Sequence, residues 1–221
     1  MKRAFALALS TAGLALVGAS LVLAADPPKP DLKHRSYAPQ ITRAEAPAST
    51  PTAPAPTPTP YIGPVSSIYL ASGGVTNNAP IETRDVTNKP SGPAFQEPSH
   101  PSRIAWYSNY GLPGWRGNNS IFSAHINYVN YGNGPFAKLT SAVAGDALYV
   151  TMANGTVYTY TVKSMNVVHL NQLDMNGVVF PALDSNTERI TLISCGGTFV
   201  PLPGGGQYDS RIILVAERYV P

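Results

Sequence analysis

Residues 155–170, GTVYTYTVKSMNVVHL, constrain the fold of this chain more than any other stretch. Val, Tyr and Thr alternate there with a period of two, which sends successive side chains to opposite faces of an extended strand. The turn signal ANG at 153–155 precedes it and follows a second strand pattern, DALYVTM, at 146–152. This part of the chain is therefore predicted to be β-structure turned back on itself.

Similar signals run through residues 61–221, and the 161 residues suffice for one domain with a proper core. β-branched runs at 65–70, 189–195 and 211–220 predict strands, and the Gly- and Pro-rich segment 196–210 predicts a loop. Helical periodicity is scarce, with only GPFAKLTSAV predicting a short turn or helix. Several short strands with irregular connections favour an all-β domain, a closed or nearly closed barrel rather than a sandwich.

The N-terminus has the pattern of an exported protein. Lys2 and Arg3 precede an uncharged, mostly apolar stretch at 4–25, which as a helix of ~33 Å would cross a ~30 Å hydrocarbon core. Residues 1–25 are thus predicted to be a membrane anchor, with the positive end inside and the rest of the chain extracellular. The alternative is a signal peptide cleaved near Ala24 and Ala25, which would release a secreted protein.

Residues 26–60 change in composition and hold ten of the 22 prolines. Because large apolar side chains are few, this segment is predicted to be a disordered, extended Pro-, Ala- and Thr-rich linker, reaching on the order of 100 Å at ~3.1 Å per residue. The net positive charge of the chain lies in residues 1–60, which carry six Lys or Arg against three Asp or Glu. Residues 61–221 carry nine of each. The folded domain is neutral, which argues against nucleic-acid binding.

Cys195, in TLISCGG, is the only cysteine in the chain. Its β-branched neighbours are compatible with a small buried apolar residue. However, it comes where a predicted strand ends and a glycine pair begins, so we expect its side chain at a sheet edge facing a loop. Because the chain has no second cysteine, Cys195 cannot form the intramolecular disulfide that is common in exported proteins. We therefore predict a functional thiol.

A nucleophilic thiol requires a group that promotes its ionisation, because its ordinary pKa is ~8.5. His34 lies in the linker, His100 in a Pro-flanked loop, and His169 after a β run. His125 is the best candidate, because NSIFSAHINYVNYGNGPF puts it near the end of a short apolar strand. An imidazolium ~5 Å from a thiolate would favour the ion pair by a few kcal/mol at an effective dielectric of ~20, before desolvation is subtracted.

Arg211 opens the last predicted strand, directly after the loop that follows Cys195. If the two strands are antiparallel neighbours, the Cys at the end of one faces the Arg at the start of the other. A guanidinium there would donate hydrogen bonds to a substrate carbonyl and to the oxyanion formed by thiolate attack. An ordinary surface arginine is the alternative.

These residues resemble those of sortases, the cysteine transpeptidases of Gram-positive-type cell surfaces. TLISC is similar to the family's Thr-Leu-X-Thr-Cys strand motif, and His125 in SAHIN and Arg211 in RIILVA match its histidine and arginine, in the same order and with similar spacing. Four further stretches resemble class F sortases in particular: IAWYSNYGLPG, GPFAKL, GDALYVTMANGTVYTYTV and CGGTF.

The resemblance implies an eight-stranded β-barrel with one or two short helices and the site at one end. It implies cleavage of a Leu-Pro-X-Thr-Gly sorting signal between Thr and Gly, with Cys195 as nucleophile, His125 as acid and base, and Arg211 stabilising substrate and oxyanion. An amine of a peptidoglycan precursor or another protein would then take the acyl group from the thioester. Substrate-binding positions are assigned to Thr191, Ser194 and Gly196. We expect a monomer without a metal or cofactor, whose partners are surface proteins bearing sorting signals.

Two departures from the family pattern stand out: Ser194 replaces the usual Thr, and Ala124 stands where many relatives have Gly. The stretch 166–188 is expected where the family recognises the Leu-Pro part of the signal.

Two other classes of enzyme with a catalytic Cys are disfavoured by the sequence. An L,D-type transpeptidase would have a His and Gly shortly before the Cys and an Arg almost directly after it, and this chain lacks both. In papain-like hydrolases the Cys precedes the His. The non-enzyme alternative is an exported β adhesin or wall-binding module, which predicts that Cys195 is dispensable.

Overall fold

The computed structural model describes residues 59–89, 92–203 and 205–221, all within one compact unit, Ala55–Pro221. The predicted anchor at 1–25 and nearly all of the predicted linker lie outside the described residues. Among the residues that are described, no helix has both the length and the apolar character needed to cross a membrane.

The described residues form twelve strands and two short helices. The strands are β1 Val65–Leu70, β2 Ile81–Thr83, β3 Val86–Lys89, β4 Gly92–Phe95, β5 Ile104–Trp106, β6 Asn119–Ser123, β7 Asn127–Tyr128, β8 Gly132–Asn133, β9 Ala147–Met152, β10 Val157–His169, β11 Thr187–Leu202 and β12 Gly205–Tyr219. The helices are a single 3-10 turn, Leu139–Ser141, and α1, Met175–Val179.

Eight of these strands form one sheet in the order β1-β9-β10-β12-β11-β6-β5-β2. Its pairs are antiparallel except β6 with β11 and β2 with β5, which are parallel. The edge strands β1 and β2 approach each other without forming a ladder, so the sheet is a nearly closed, all-β barrel. The fold class expected from the sequence is confirmed.

Alternation along the strands separates two apolar clusters. In β10, Tyr158, Tyr160 and Val162 point inward and are buried, while the residues between them are exposed. They join the large cluster that fills the barrel. A second cluster lies on the outer side of the wall, where Ile121, Ile193 and Ile213 of β6, β11 and β12 pack against side chains from α1 and its flanks. Ile193 of this outer cluster forms part of the floor of the cavity described below.

Strands were predicted well where β-branched residues alternate, as in β1, β9 and β10, but the loop predicted at 196–210 is wrong. β11 and β12 continue as a paired ribbon in which Phe199 pairs with Tyr208 and Leu202 with Gly205. A bulge between Gly196 and Phe199 bends the ribbon, with Gly197 at φ +77°, a conformation that favours glycine. The ribbon tolerates its prolines and glycines because its side chains are largely exposed.

Candidate active site

Cys195 lies on the middle one of three neighbouring strands. β6 pairs with β11 only as far as the Ser123 and Ile193 pair, so beyond Ile193 that side of β11 is open. On the other side, β12 continues and places Arg211 directly opposite Cys195 in register. Because directly opposed residues of an antiparallel pair share a face, both side chains lie on the outer face of the barrel wall. The adjacency expected from the sequence is observed, although Cys195 precedes a bulge rather than a strand end.

His125 follows the end of β6, on the open side of β11. The turn is closed by Phe136, whose N–H donates to the His125 carbonyl at 3.0 Å, and by Gly134, whose N–H donates to Ile126 at 2.9 Å. A Cβ at position 134 would collide with the His125 carbonyl, so glycine allows this close approach. The imidazole is half-buried and meets the Tyr128 ring edge-on, with 5.0 Å between centroids.

Arg211 is half-buried, and only part of its guanidinium is occupied. Nη1 donates to the carbonyls of Ser210 at 2.8 Å and Tyr208 at 3.2 Å. Within the described residues, Nε and Nη2 have no hydrogen-bond partner. The two hydrogen bonds of Nη1 fix the plane of the guanidinium, and Nε and Nη2 remain as donors for a bound group.

Cys195, His125 and Arg211 line one cavity of about 680 Å³. One wall comes from β4 and the residues after it, including Phe95 and Glu97; the opposite wall comes from α1 and its flanks, and Ile193 forms part of the floor. The lining is mainly apolar with a few converging polar groups, as in most ligand sites. No set of three His, Cys, Asp or Glu side chains suited to a metal ion occurs in the described ranges.

The two titratable groups of the site are both shifted towards their uncharged forms. Burial raises the pKa of the Cys195 thiol, the Arg211 guanidinium opposes that rise, and the Glu97 carboxylate adds to it. Burial lowers the pKa of the His125 imidazole, and Glu97 partly opposes this shift. Both shifts favour the uncharged thiol and the uncharged imidazole at neutral pH, because desolvation penalises the charged form of each group.

The three residues predicted to bind substrate lie in different environments. Ser194 lines the cavity, but its hydroxyl donates to the Ala124 carbonyl at 2.6 Å and so ties the Cys195 strand to the His125 turn. Gly196 is buried against Ile212 and does not line the cavity.

Thr191 is fully buried beneath α1 rather than open to a substrate. Its hydroxyl donates to Asn119 Oδ1 at 2.7 Å, and Asn119 Nδ2 donates to the carbonyls of Val178 and Val179 at 2.9 and 3.2 Å. The structure therefore makes Thr191 a support for the α1 wall, two residues along the same face from Ile193. It does not lie among the side chains that face the cavity.

The other described histidines lie outside the cavity. His100 is exposed, with its ring Nδ1 at 2.8 Å from Ser102 Oγ, and His169 is exposed, with its ring Nδ1 at 2.8 Å from Asn171 Oδ1. Sequence reasoning missed Glu97 and the wall formed by β4, whereas the stretch 166–188 that contains α1 was expected at the substrate site from the family resemblance. The carboxylate stands in a Pro-flanked segment, AFQEPSHP, whose composition gives no sign of a site.

Comparisons with known proteins agree with this description. A family model described as the sortase domain matches residues 79–219, well over half of the chain. Among solved structures, the SrtA sortase from Actinomyces oris is similar at 21% identity, covering 74% of this chain and 84% of that chain, with a TM-score of 0.48. Sortase A from Corynebacterium diphtheriae is similar at 22% identity, covering 62% and 59%, with a TM-score of 0.41. No curated protein matches the chain.

Proposed function

This chain belongs to the sortase family of cysteine transpeptidases, and we propose that it cleaves a Leu-Pro-X-Thr-Gly-like sorting signal between Thr and Gly. Cys195 carries the acyl group as a thioester and passes it to an amine at the cell wall. The observation that supports this most directly is the convergence of Cys195, His125 and Arg211 on one half-enclosed cavity.

Acylation begins from the neutral pair. The thiol proton passes to His125, and the Cys195 thiolate attacks the carbonyl carbon of the Thr residue in the signal. Arg211 Nε and Nη2 donate to the oxyanion. The imidazolium then protonates the Gly nitrogen, the C–N bond breaks, and the products are a thioester, a free amine and a neutral imidazole. Each proton released is accepted within the site.

The apolar part of the cavity suits the Leu and Pro of the signal. Leu173, Met175 and Phe180 line the wall opposite β4, and they belong to the stretch 166–188 for which the family resemblance suggests this role. Burial of a Leu side chain there would contribute ~1.5–3 kcal/mol to binding before the costs of association. The Asn119 and Thr191 bonds hold this wall against the barrel.

The finer assignments of the proposal rest on the sequence. They are membership of class F, attachment to the membrane through residues 1–25 with the catalytic domain outside the cell, and a linker at 26–60. The partners proposed are surface proteins that bear a sorting signal and a peptidoglycan precursor or other amine acceptor.

The decisive experiment combines residues 59–221, a panel of Leu-Pro-X-Thr-Gly peptides and an amine, followed by mass spectrometry of protein and peptide. Wild-type protein should gain the mass of the acyl fragment and yield the amide product, whereas Cys195→Ala should do neither. Absence of cleavage by the wild type across the panel, or equal cleavage by Cys195→Ala, would contradict the proposal. The latter result would favour a non-catalytic wall-binding module.

The pH dependence of the thiol provides a second prediction. Because burial raises the pKa of the Cys195 thiol above that of a free thiol, iodoacetamide alkylation should titrate with a midpoint above pH 9. Because the His125 pKa is lowered below its ordinary 6.5, kcat/KM should be flat at neutral pH and fall at more acid pH than 6.5 and more alkaline pH than 9. The thiolate–imidazolium pair carries the same number of protons as the neutral pair. The fraction of enzyme in the thiolate–imidazolium state therefore does not change with pH between the two pKa values.

Arg211 variants provide the control for this titration. Removing its charge in Arg211→Gln should move the alkylation midpoint further up, since Arg211 lowers the thiol pKa, while Arg211→Lys should keep it close to the wild-type value. An alkylation midpoint below pH 7 in the wild type would show a resting ion pair and contradict the neutral state described here.

A further inference from the structure

The cavity contains a carboxylate that the acylation step does not use. Glu97 lines the same cavity as Cys195, His125 and Arg211 and is exposed to solvent. Its carboxylate makes no hydrogen bond or ion pair with any of the residues that the structure describes. None of the other acidic residues that the structure describes lines this cavity, so among them Glu97 supplies its negative charge.

The backbone that presents Glu97 is held on both sides. The Glu97 carbonyl accepts a hydrogen bond from Arg84 Nε at 3.0 Å. The preceding residue, Gln96, donates its N–H to the Asp85 carbonyl at 2.9 Å and accepts from the Tyr107 hydroxyl at 2.7 Å. The carboxylate therefore extends from a fixed segment into a groove that is open to solvent, rather than from a free loop.

The charge of Glu97 acts on both reacting groups, and its two effects on the first half of the reaction oppose each other. It raises the pKa of the His125 imidazole, which favours the imidazolium, and it raises the pKa of the Cys195 thiol, which disfavours the thiolate. Once the thioester has formed, that thiolate is gone. The next reactant is an amine, which arrives in water mainly as a positively charged ammonium. The Glu97 carboxylate thus repels the Cys195 thiolate of the first half-reaction and attracts the ammonium of the acceptor in the second.

We propose that Glu97 is the specificity residue for the acceptor, and that it binds a primary ammonium beside the thioester. This inference rests on the proposed function and extends it to the second half-reaction. The bound ammonium gives one proton to solvent through the carboxylate. The free amine attacks the thioester carbonyl, the C–S bond breaks, and the second proton passes from nitrogen to neutral His125. The products are an amide, the Cys195 thiolate and the imidazolium.

The test measures each half-reaction separately in Glu97→Gln, with a Leu-Pro-X-Thr-Gly peptide and two acceptors of different charge. Glycinamide is largely an ammonium at pH 7, whereas hydroxylamine is neutral. We expect the KM for glycinamide to rise about fivefold in the variant. Thioester formation and hydroxamate formation should stay within twofold of wild type. The effect on glycinamide should shrink in 1 M salt, which screens the charge.

Asp85→Asn provides the matched control. It removes one negative charge from the same part of the chain, outside the cavity, and keeps an oxygen for the bond that Val86 N–H donates to the Asp85 side chain. Its glycinamide KM should equal that of wild type.

Three results would overturn the inference: an unchanged KM for glycinamide in Glu97→Gln, an equal loss with hydroxylamine, or slower thioester formation. The last two would make Glu97 a partner of His125 or Cys195 instead. Absence of a thioester in the wild type would refute the proposed function itself, and this inference with it.

Discussion

Replacing His125 with glutamine is expected to lower kcat/KM for cleavage of a sorting peptide about a thousandfold. The amine that leaves the tetrahedral intermediate is too basic to depart without a proton, and glutamine cannot supply one. Two proton-bearing groups of the same cavity, Tyr107 and Arg211, cannot replace the imidazole. Burial raises the pKa of the Tyr107 phenol to about 12, and Arg211 does not release its protons in the accessible pH range.

The same variant should leave the reactivity of the thiol towards iodoacetamide nearly unchanged. The pKa of Cys195 is set by burial, Arg211 and Glu97, because a neutral imidazole contributes no charge to it. Loss of cleavage with normal alkylation would therefore separate proton transfer from thiol activation. A parallel rise of the alkylation midpoint in His125→Gln would contradict this separation.

His100→Gln is the matched control for this experiment. His100 is exposed and lies outside the cavity, so we expect wild-type cleavage from this variant. If His125→Gln retained more than a tenth of wild-type kcat/KM, His125 would not be the acid that protonates the leaving amine.

The sequence alone predicts the Cys195 and Arg211 pair better than it predicts the position of His125. Consecutive β-branched runs joined by a turn-rich segment usually pair antiparallel, so opposing the two residues requires only local information. His125 reaches the site because β6 pairs in parallel with β11, some 70 residues later. Nothing in the composition of NSIFS indicates that pairing, so the sequence predicted His125 only as a residue near the end of a short apolar strand, and the family motif then supported the choice.

The errors and omissions also have physical causes. Pro and Gly in 196–210 signal a loop, yet a two-stranded ribbon open to solvent tolerates both, and Phe199, Val200 and Tyr208 maintain the pairing. Thr191 was assigned to substrate binding together with the family resemblance, and the structure places it fully buried, with its hydroxyl donating to Asn119 under the segment that carries α1. Glu97 was missed because a single carboxylate in a loop has the same sequence signature as any surface residue.

Glu188 is a second residue that the sequence does not single out, and its replacement is expected to have the largest effect on stability. It is 2% exposed, and its carboxylate accepts hydrogen bonds from Arg218 Nη2 at 2.7 Å and from the Tyr160 hydroxyl at 3.1 Å. The Arg218 guanidinium also lies over the Tyr158 ring, 4.8 Å from its centroid. Exchanging the carboxylate for an amide removes the negative charge that pairs with Arg218 and leaves one acceptor oxygen for both the guanidinium and the Tyr160 hydroxyl.

Glu188→Gln should therefore lower the free energy of unfolding by about 3 kcal/mol, the lower end for a broken buried pair because Arg218 is partly exposed. For a domain of this size that corresponds to a fall in Tm of about 6–12 °C, measurable by thermal and urea unfolding. The pair lies seven residues along β11 from Cys195, about 23 Å, so the folded variant should retain wild-type thioester formation.

The neighbouring pair on the same two strands supplies the control. Arg189 and Glu217 are register partners one residue further along, they form an ion pair at 2.6 Å, and both side chains are about one-fifth exposed. Glu217→Gln should cost less than about 1 kcal/mol, because water can solvate the arginine that remains. Equally small decreases in the free energy of unfolding of both variants would show that burial does not strengthen the Glu188 ion pair. A large decrease confined to Glu188→Gln would show that its buried carboxylate stabilises the end of the barrel remote from the cavity.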